Sequence, residues 1–183
     1  MNGDLTVNLR PTPVHHSESG IAFRALPNAG DMPPIPLWRD TATGLPDPRG
    51  YWELLQADGK RLTIEERTFH ILRSRERICM PKGLAVYCRA SDETIGEMRI
   101  HYAGFVHPLF GWSRQDGKKG TPLIFEVRGH DVNASLTHGE KLARLTFYRL
   151  SEDSAAQPVS PSGGGYNSQE LNLSSFFAPW SNG

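Results

Sequence analysis

Apolar and polar residues alternate with a period of two over much of the chain. "LTVNLRP" (residues 5–11) reads as a half-buried strand, and "GIAFRAL" (20–26) repeats the pattern after a loop at His15 and His16. Residues 28–50 are too rich in Pro, Gly and Asp for regular structure and predict a long surface connection. "YWELLQ" and "RLTI" flank Asp58 and Gly59, residues that accept the positive φ of a tight turn, so a β-hairpin is expected there. "TIEERTFHILRSRERICMP" has helix-compatible Glu and Arg. Phe69, Ile71 and Ile78 nevertheless sustain no helical stripe and Pro81 closes the segment, which predicts a short turn and then a strand at "FHILRS". "GLAVYCRAS", "EMRIHYAGFV", "TPLIFEVRG", "VNASLTH" and "EKLARLTFYRL" follow as strands joined by Gly-bearing turns, the last two through "HGE". The expected fold class is all-β, with one β domain over residues 1–150. Residues 151–183 begin as a Ser/Pro/Gly linker and end in "YNSQELNLSSFFAPW", an arm whose apolar residues should dock.

Composition narrows this picture. A chain of 183 residues can bury the core of one domain. The 18 Gly and 14 Pro interrupt any segment that could grow into a long helix, which reinforces the short strands. Lys plus Arg equals Asp plus Glu at 20 each, so no field of one sign directs the chain to nucleic acid or an anionic membrane, and an anion site must be local. No apolar run approaches the roughly 20 residues of a membrane helix. Two cysteines, Cys79 and Cys88, and an N-terminus unlike a signal peptide suggest a reduced, cytoplasmic protein.

The densest chemistry lies in "MRIHYAGFVHPLFGW", residues 98–112, which combines Arg99, His101 and His107 with four aromatic side chains and suits a strand pair or a site wall. Phe105, Phe110 and Trp112 fit a core or subunit interface better than a base-stacking platform. Two histidines alone are a weak metal signal, and hydrogen-bonded strand and turn residues explain them as well. In "PLIFEVRG", Glu126 stands among Leu123, Ile124, Phe125 and Val127. Alternation allows it to point outward, or inward, where desolvation would lift its pKa toward values useful in proton transfer.

The ordered series "LTVNLRP", "GYWELLQ", "FHILRSRERICMP", "GEMRIHYAGFVHPLFGW", "GTPLIFEVRGHDVNASLTHGEKLARLTFYRL" and "GGGYNSQELNLSSFF" resembles the deoxycytidine triphosphate deaminases of the dUTPase-like superfamily. The likeness is strongest to the second half of a long bacterial form in which two such domains are fused. It implies a distorted barrel, or β-clip, of many short strands with a C-terminal arm, and hydrolysis of dCTP to dUTP and ammonia without zinc. The sequence accords with the last point, since Cys79 and Cys88 are too far apart for the P-C-x-x-C segment of zinc deaminases. No protein-bound cofactor is expected, although Mg2+ carried by the triphosphate is compatible with the chemistry.

By the same resemblance Glu126 is the catalytic carboxylate, facing inward, that activates water for attack on cytosine C4. Arg89 matches the family pattern, and Tyr166 and Gln169 resemble residues of an arm that closes over the nucleotide; His101, Phe105, His107 and Arg128 are further residues expected around the pyrimidine deoxynucleoside triphosphate, and deletion after Ser162 is expected to keep the fold and lower nucleotide affinity. Partners would be further copies, most simply a trimer, or a sister domain, because sites of this superfamily lie between neighbouring copies; neither nucleic acid nor membrane is expected. The chain also departs from the pattern. "RASDETIGE" places Ala90 and Thr94 where the family has a serine and an arginine, and His107-Pro108-Leu109 replaces D-P-G. These departures keep a second reading in play, a catalytically silent nucleotide-binding or assembly domain. A third, dUTP hydrolysis, lacks the aspartate it would need near His107.

Overall fold

In a computed structural model the alternation becomes thirteen strands, with no α-helix among the described residues, which are 3–15, 18–27, 31–36, 44–56, 60–91, 98–100, 104–112, 120–151 and 170–180. In chain order they are β1 (Asp4–Thr6), β2 (Thr12–His15), β3 (Glu18–Gly20), β4 (Ala22–Ala25), β5 (Trp52–Leu55), β6 (Arg61–Ile64), β7 (Phe69–Ile78), β8 (Leu84–Ala90), β9 (Met98–Ile100), β10 (Phe105–Val106), β11 (Thr121–Gly129), β12 (Ala134–Thr137) and β13 (Lys141–Arg149). One sheet has the order β1-β13-β8-β10 and a larger one the order β5-β4-β7-β11-β9, while β12-β6 and β2-β3 form two-stranded pairs.

The two large sheets share one core. Leu5, Val86, Cys88, Leu142 and Ala143 face it from the first sheet, and Ala22, Leu72, Leu123, Phe125 and Val127 from the second. Leu62, Ile64 and Leu136 of the β6-β12 pair complete it. The alternation of "LTVNLRP" is real, since Leu5, Val7 and Leu9 are all buried, although β1 itself ends at Thr6 and Val7 continues only as a bridge to Ser74.

Several expectations require correction. β5 and β6 do not form a hairpin: β5 pairs with β4 and β6 with β12. Their apolar residues serve different cores, because Leu62 and Ile64 enter the central one while Trp52 and Leu54 pack on the far face of the larger sheet. "EMRIHYAGFV" is not one strand, for β9 pairs with β11 and β10 with β8, in separate sheets. The strand at "FHILRS" runs on to Ile78, and His15 belongs to a strand pairing with β3 rather than to a loop.

The end of the chain also lies differently. Residues 170–180 run over the outer face of the larger sheet, where Leu171 (0% exposed) packs with Phe23 and Ile71, and Phe177 is buried. Phe177 meets Tyr51 and Trp52 at 5.3 and 6.4 Å between ring centroids, and Trp180 meets Phe23 at 5.0 Å. The indole N–H of Trp180 donates to Glu18, and Arg49 lies 5.1 Å above its ring. Residues 170–180 are thus packed into the fold, whereas the arm was expected to lie over it as a separable lid.

Candidate functional site

β11 decides where the candidate carboxylate goes. Its core face is occupied by Leu123, Phe125 and Val127, and the period of two turns Ile124, Glu126 and Arg128 to the other side. Glu126 is exposed in the chain taken alone, which corrects the expected inward placement. The register with β7 sets Ile124 opposite Arg73, Glu126 opposite Ile71 and Arg128 opposite Phe69, while β9 brings Arg99 opposite Arg128. Ile71 and Ile124 pack with Leu171 of the arm, so Glu126 stands at the margin of the surface that the arm covers. At i and i+2 on one strand face, Glu126 and Arg128 are about 7 Å apart along the chain, close enough for one ligand to meet both.

The same face holds a cluster that sequence reading missed. Arg73 Nη1 donates to Glu170 Oε2 at 3.2 Å, and Arg77 Nη1 donates to Glu170 Oε1 at 2.8 Å. The Arg73 side chain is only 12% exposed, and burial draws its guanidinium below the ordinary arginine value while the Glu170 charge opposes that shift. A single sequence carries no sign of this grouping, because it depends on an irregularity in the pairing of β7 with β11.

The other predicted residues lie elsewhere. Arg89 and Phe105 project from the outer face of the smaller sheet, where Phe105 is opposite Tyr87 and the Arg89 guanidinium lies 5.4 Å from the Tyr87 ring. His107 is exposed in the turn after β10, its Nδ1 2.7 Å from the carbonyl oxygen of Pro108 and its ring 5.8 Å from that of Phe110. Leu109, standing where the family pattern has glycine, takes φ 65°, a left-handed conformation that disfavours a side chain with a Cβ. Ala90 is half-buried opposite Ala143 and offers no hydroxyl. His101, Thr94, Tyr166 and Gln169 lie outside the described residues.

One chain therefore presents Glu126 and Arg128 on one sheet and Arg89 and Phe105 on another, each group facing away from the shared core. A cleft of about 400 Å³ beside the arm, lined by Glu18, Arg49, Trp52, Glu53, Gln56 and Trp180 among others, contains none of them. Among the described residues no three His, Cys, Asp or Glu side chains gather as metal ligands. Cys79 and Cys88 are free thiols, and burial lifts that of Cys88 to about 11, away from reactivity. No helix among the described residues is long and apolar enough to cross a membrane.

An all-β chain with this sheet arrangement is of the dUTPase-like class. It matches a crystal structure of 2'-deoxycytidine 5'-triphosphate deaminase from Agrobacterium tumefaciens with a TM-score of 0.67 and 30% identity over 82% of this chain and 41% of that one. The sequence profile of the C-terminal domain of 2'-deoxycytidine 5'-triphosphate deaminase matches residues 4–177, and the chain belongs to that family. It spans less than half the length of the solved relative. No curated protein matches it.

Proposed function

We propose that this chain is a deaminase domain that hydrolyses dCTP to dUTP and ammonia, with Glu126 as the proton-transferring group. The observation that carries the reading is the exposure of Glu126 and Arg128 side by side on one sheet face, in a chain of the deaminase C-terminal-domain family. Glu126 takes a proton from water as its oxygen bonds to cytosine C4. That proton passes to ring N3, the C4 hydroxyl then gives its own proton through the same carboxylate to N4, and as the C4=O bond forms the C4–N4 bond breaks and ammonia leaves. Arg128 offers its charge to the carboxylate or to a phosphate.

An exposed carboxylate lacks the dry surroundings that make it an effective base, and a second copy or a sister domain laid over the Glu126 face would supply them. Such a neighbour also bridges the gap between the Glu126 group and the Arg89 and Phe105 group, which is the reason to propose an assembly, a trimer in its simplest form. Mg2+ would arrive with the triphosphate, and the free thiols suit work in the cytoplasm.

The silent-domain reading has its own support in the exposure of Glu126 and in Ala90. Glu126→Gln separates the two. It should leave dCTP binding intact and lower ammonia release by about 100- to 10,000-fold. Turnover undiminished by the substitution overturns the mechanism, and an unmodified chain that binds dCTP without releasing ammonia establishes the silent domain.

A further inference from the structure

On a regular strand Arg73 and Arg77, four residues apart, would have Cα atoms about 13 Å from each other. β7 is not regular here. β11 advances from Pro122 to Ile124 while β7 passes from Arg77 to Arg73, so β7 carries two extra residues. Ser74 fixes the irregularity from within, accepting the Leu123 N–H at 2.9 Å and donating to the Glu76 carbonyl at 2.7 Å. Both guanidinium groups then converge on one carboxylate of the arm.

That convergence leaves an excess of positive charge, two cations against one anion. Glu76, the one carboxylate of β7, accepts at 2.7 Å from both the backbone N–H and the hydroxyl of Thr6. Arg77 Nε donates to the Gly120 carbonyl at 3.2 Å. Arg73 Nε is buried with no hydrogen-bond partner among the described residues. Arg73 lies opposite Ile124, two residues from Glu126 along the same face, with Arg128 two residues further on. A pair of guanidinium groups fits phosphate oxygens as well as it fits carboxylate oxygens, and phosphate brings more charge.

We infer that Arg73 and Arg77 form an anion subsite on the Glu126 face, occupied by the carboxylate of Glu170, and that phosphate groups of a nucleotide compete with Glu170 for it. The nucleotide rests on the proposed deaminase function; the anion does not. Displacement frees a partly exposed carboxylate into water and leaves Leu171 and Phe177 packed, so these residues stay in place while Glu170 yields.

Calorimetric titration of the full chain with inorganic triphosphate at low ionic strength tests this, because surface ion pairs are least screened there. Arg77→Gln, at an exposed position, should weaken binding by about ten-fold, the value of one charge-assisted contact. Glu170→Gln should strengthen binding several-fold, a gain that misfolding cannot imitate. Arg61→Gln on β6 removes the same charge elsewhere and should change nothing. Absence of triphosphate binding, equal losses in Arg61→Gln and Arg77→Gln, or an affinity unmoved or lowered in Glu170→Gln overturns the subsite. Deamination plays no part in the readout. A chain that follows this pattern but leaves dCTP intact keeps the subsite and loses the proposed activity, and one that deaminates dCTP with triphosphate affinity indifferent to Glu170→Gln does the reverse.

Discussion

His70 sits on the core side of β7 with no exposed surface, its Nδ1 3.4 Å from the Thr68 hydroxyl and its Nε2 buried without a hydrogen-bond partner among the described residues. Across the strands it faces Arg24 on one side and Val127 on the other. Arg24 donates to Glu53 and Glu65, so the carboxylates of this neighbourhood are already engaged. Burial first, and the Arg24 charge second, hold the imidazole at about 4 instead of 6.5. The folded chain thus stays neutral at His70 while the unfolded chain takes up a proton below pH 6.5. Stability present at neutral pH is lost as the pH falls through the window from about 6.5 to 4, with a slope approaching 1.4 kcal/mol per pH unit. Urea titrations over that window should show the decline in the unmodified chain and a shallower one in His70→Gln; equal slopes would assign the acid sensitivity to other groups.

At the scale of elements, the segment 170–180 behaves as a structural strap over the larger sheet. It is held by the Glu170 ion pairs at one end and by Glu18, Arg49 and Phe23 around Trp180 at the other, with Leu171 and Phe177 buried between. Leu171→Ala removes a side chain with no exposed surface and should destabilise the chain by about 2–4 kcal/mol, which lowers Tm by roughly 2–4 °C for each kcal/mol in a domain of this size. Truncation after residue 169 should cost more, because it uncovers Phe23 and Ile71 as well. A truncated chain that melts like the full one would mean that the strap contributes nothing to the fold.

At the scale of the molecule, the smaller sheet leaves Phe105, Tyr148 and Tyr87 at 64%, 48% and 37% exposure, more aromatic surface than a solvated sheet face needs. Arg89 over Tyr87 adds a charged anchor beside it, a combination common at protein interfaces. Together with the separation of Glu126 from Arg89, this supports self-association. Light scattering should give a mass that is a multiple of 20.4 kDa, three-fold in the simplest case, and Phe105→Ser should shift it toward the single chain. A monomer at micromolar concentration in the unmodified protein would count against any site shared between copies.

How much of this was legible beforehand follows from the range of the interactions involved. Alternation along Leu5, Val7 and Leu9, or along Leu123, Phe125 and Val127, is local, and with the Gly and Pro punctuation it determined an all-β domain from the sequence alone. The ordered motifs determined the family in the same way. Local pattern does not say which strand pairs with which, so the hairpin expected around Asp58 and Gly59 resolved into strands of two different sheets. Nor does it say which face of a strand is the core: the neighbours of Glu126 are apolar on both sides, and only the packing of Leu123, Phe125 and Val127 into the shared core turned it outward. The Arg73–Arg77–Glu170 cluster spans 93 residues between Arg77 and Glu170 and needs an irregular strand to close. Contacts of that kind exist only once the chain has folded, because a long-range ion pair depends on where the backbone brings its two ends and not on what surrounds either end in sequence.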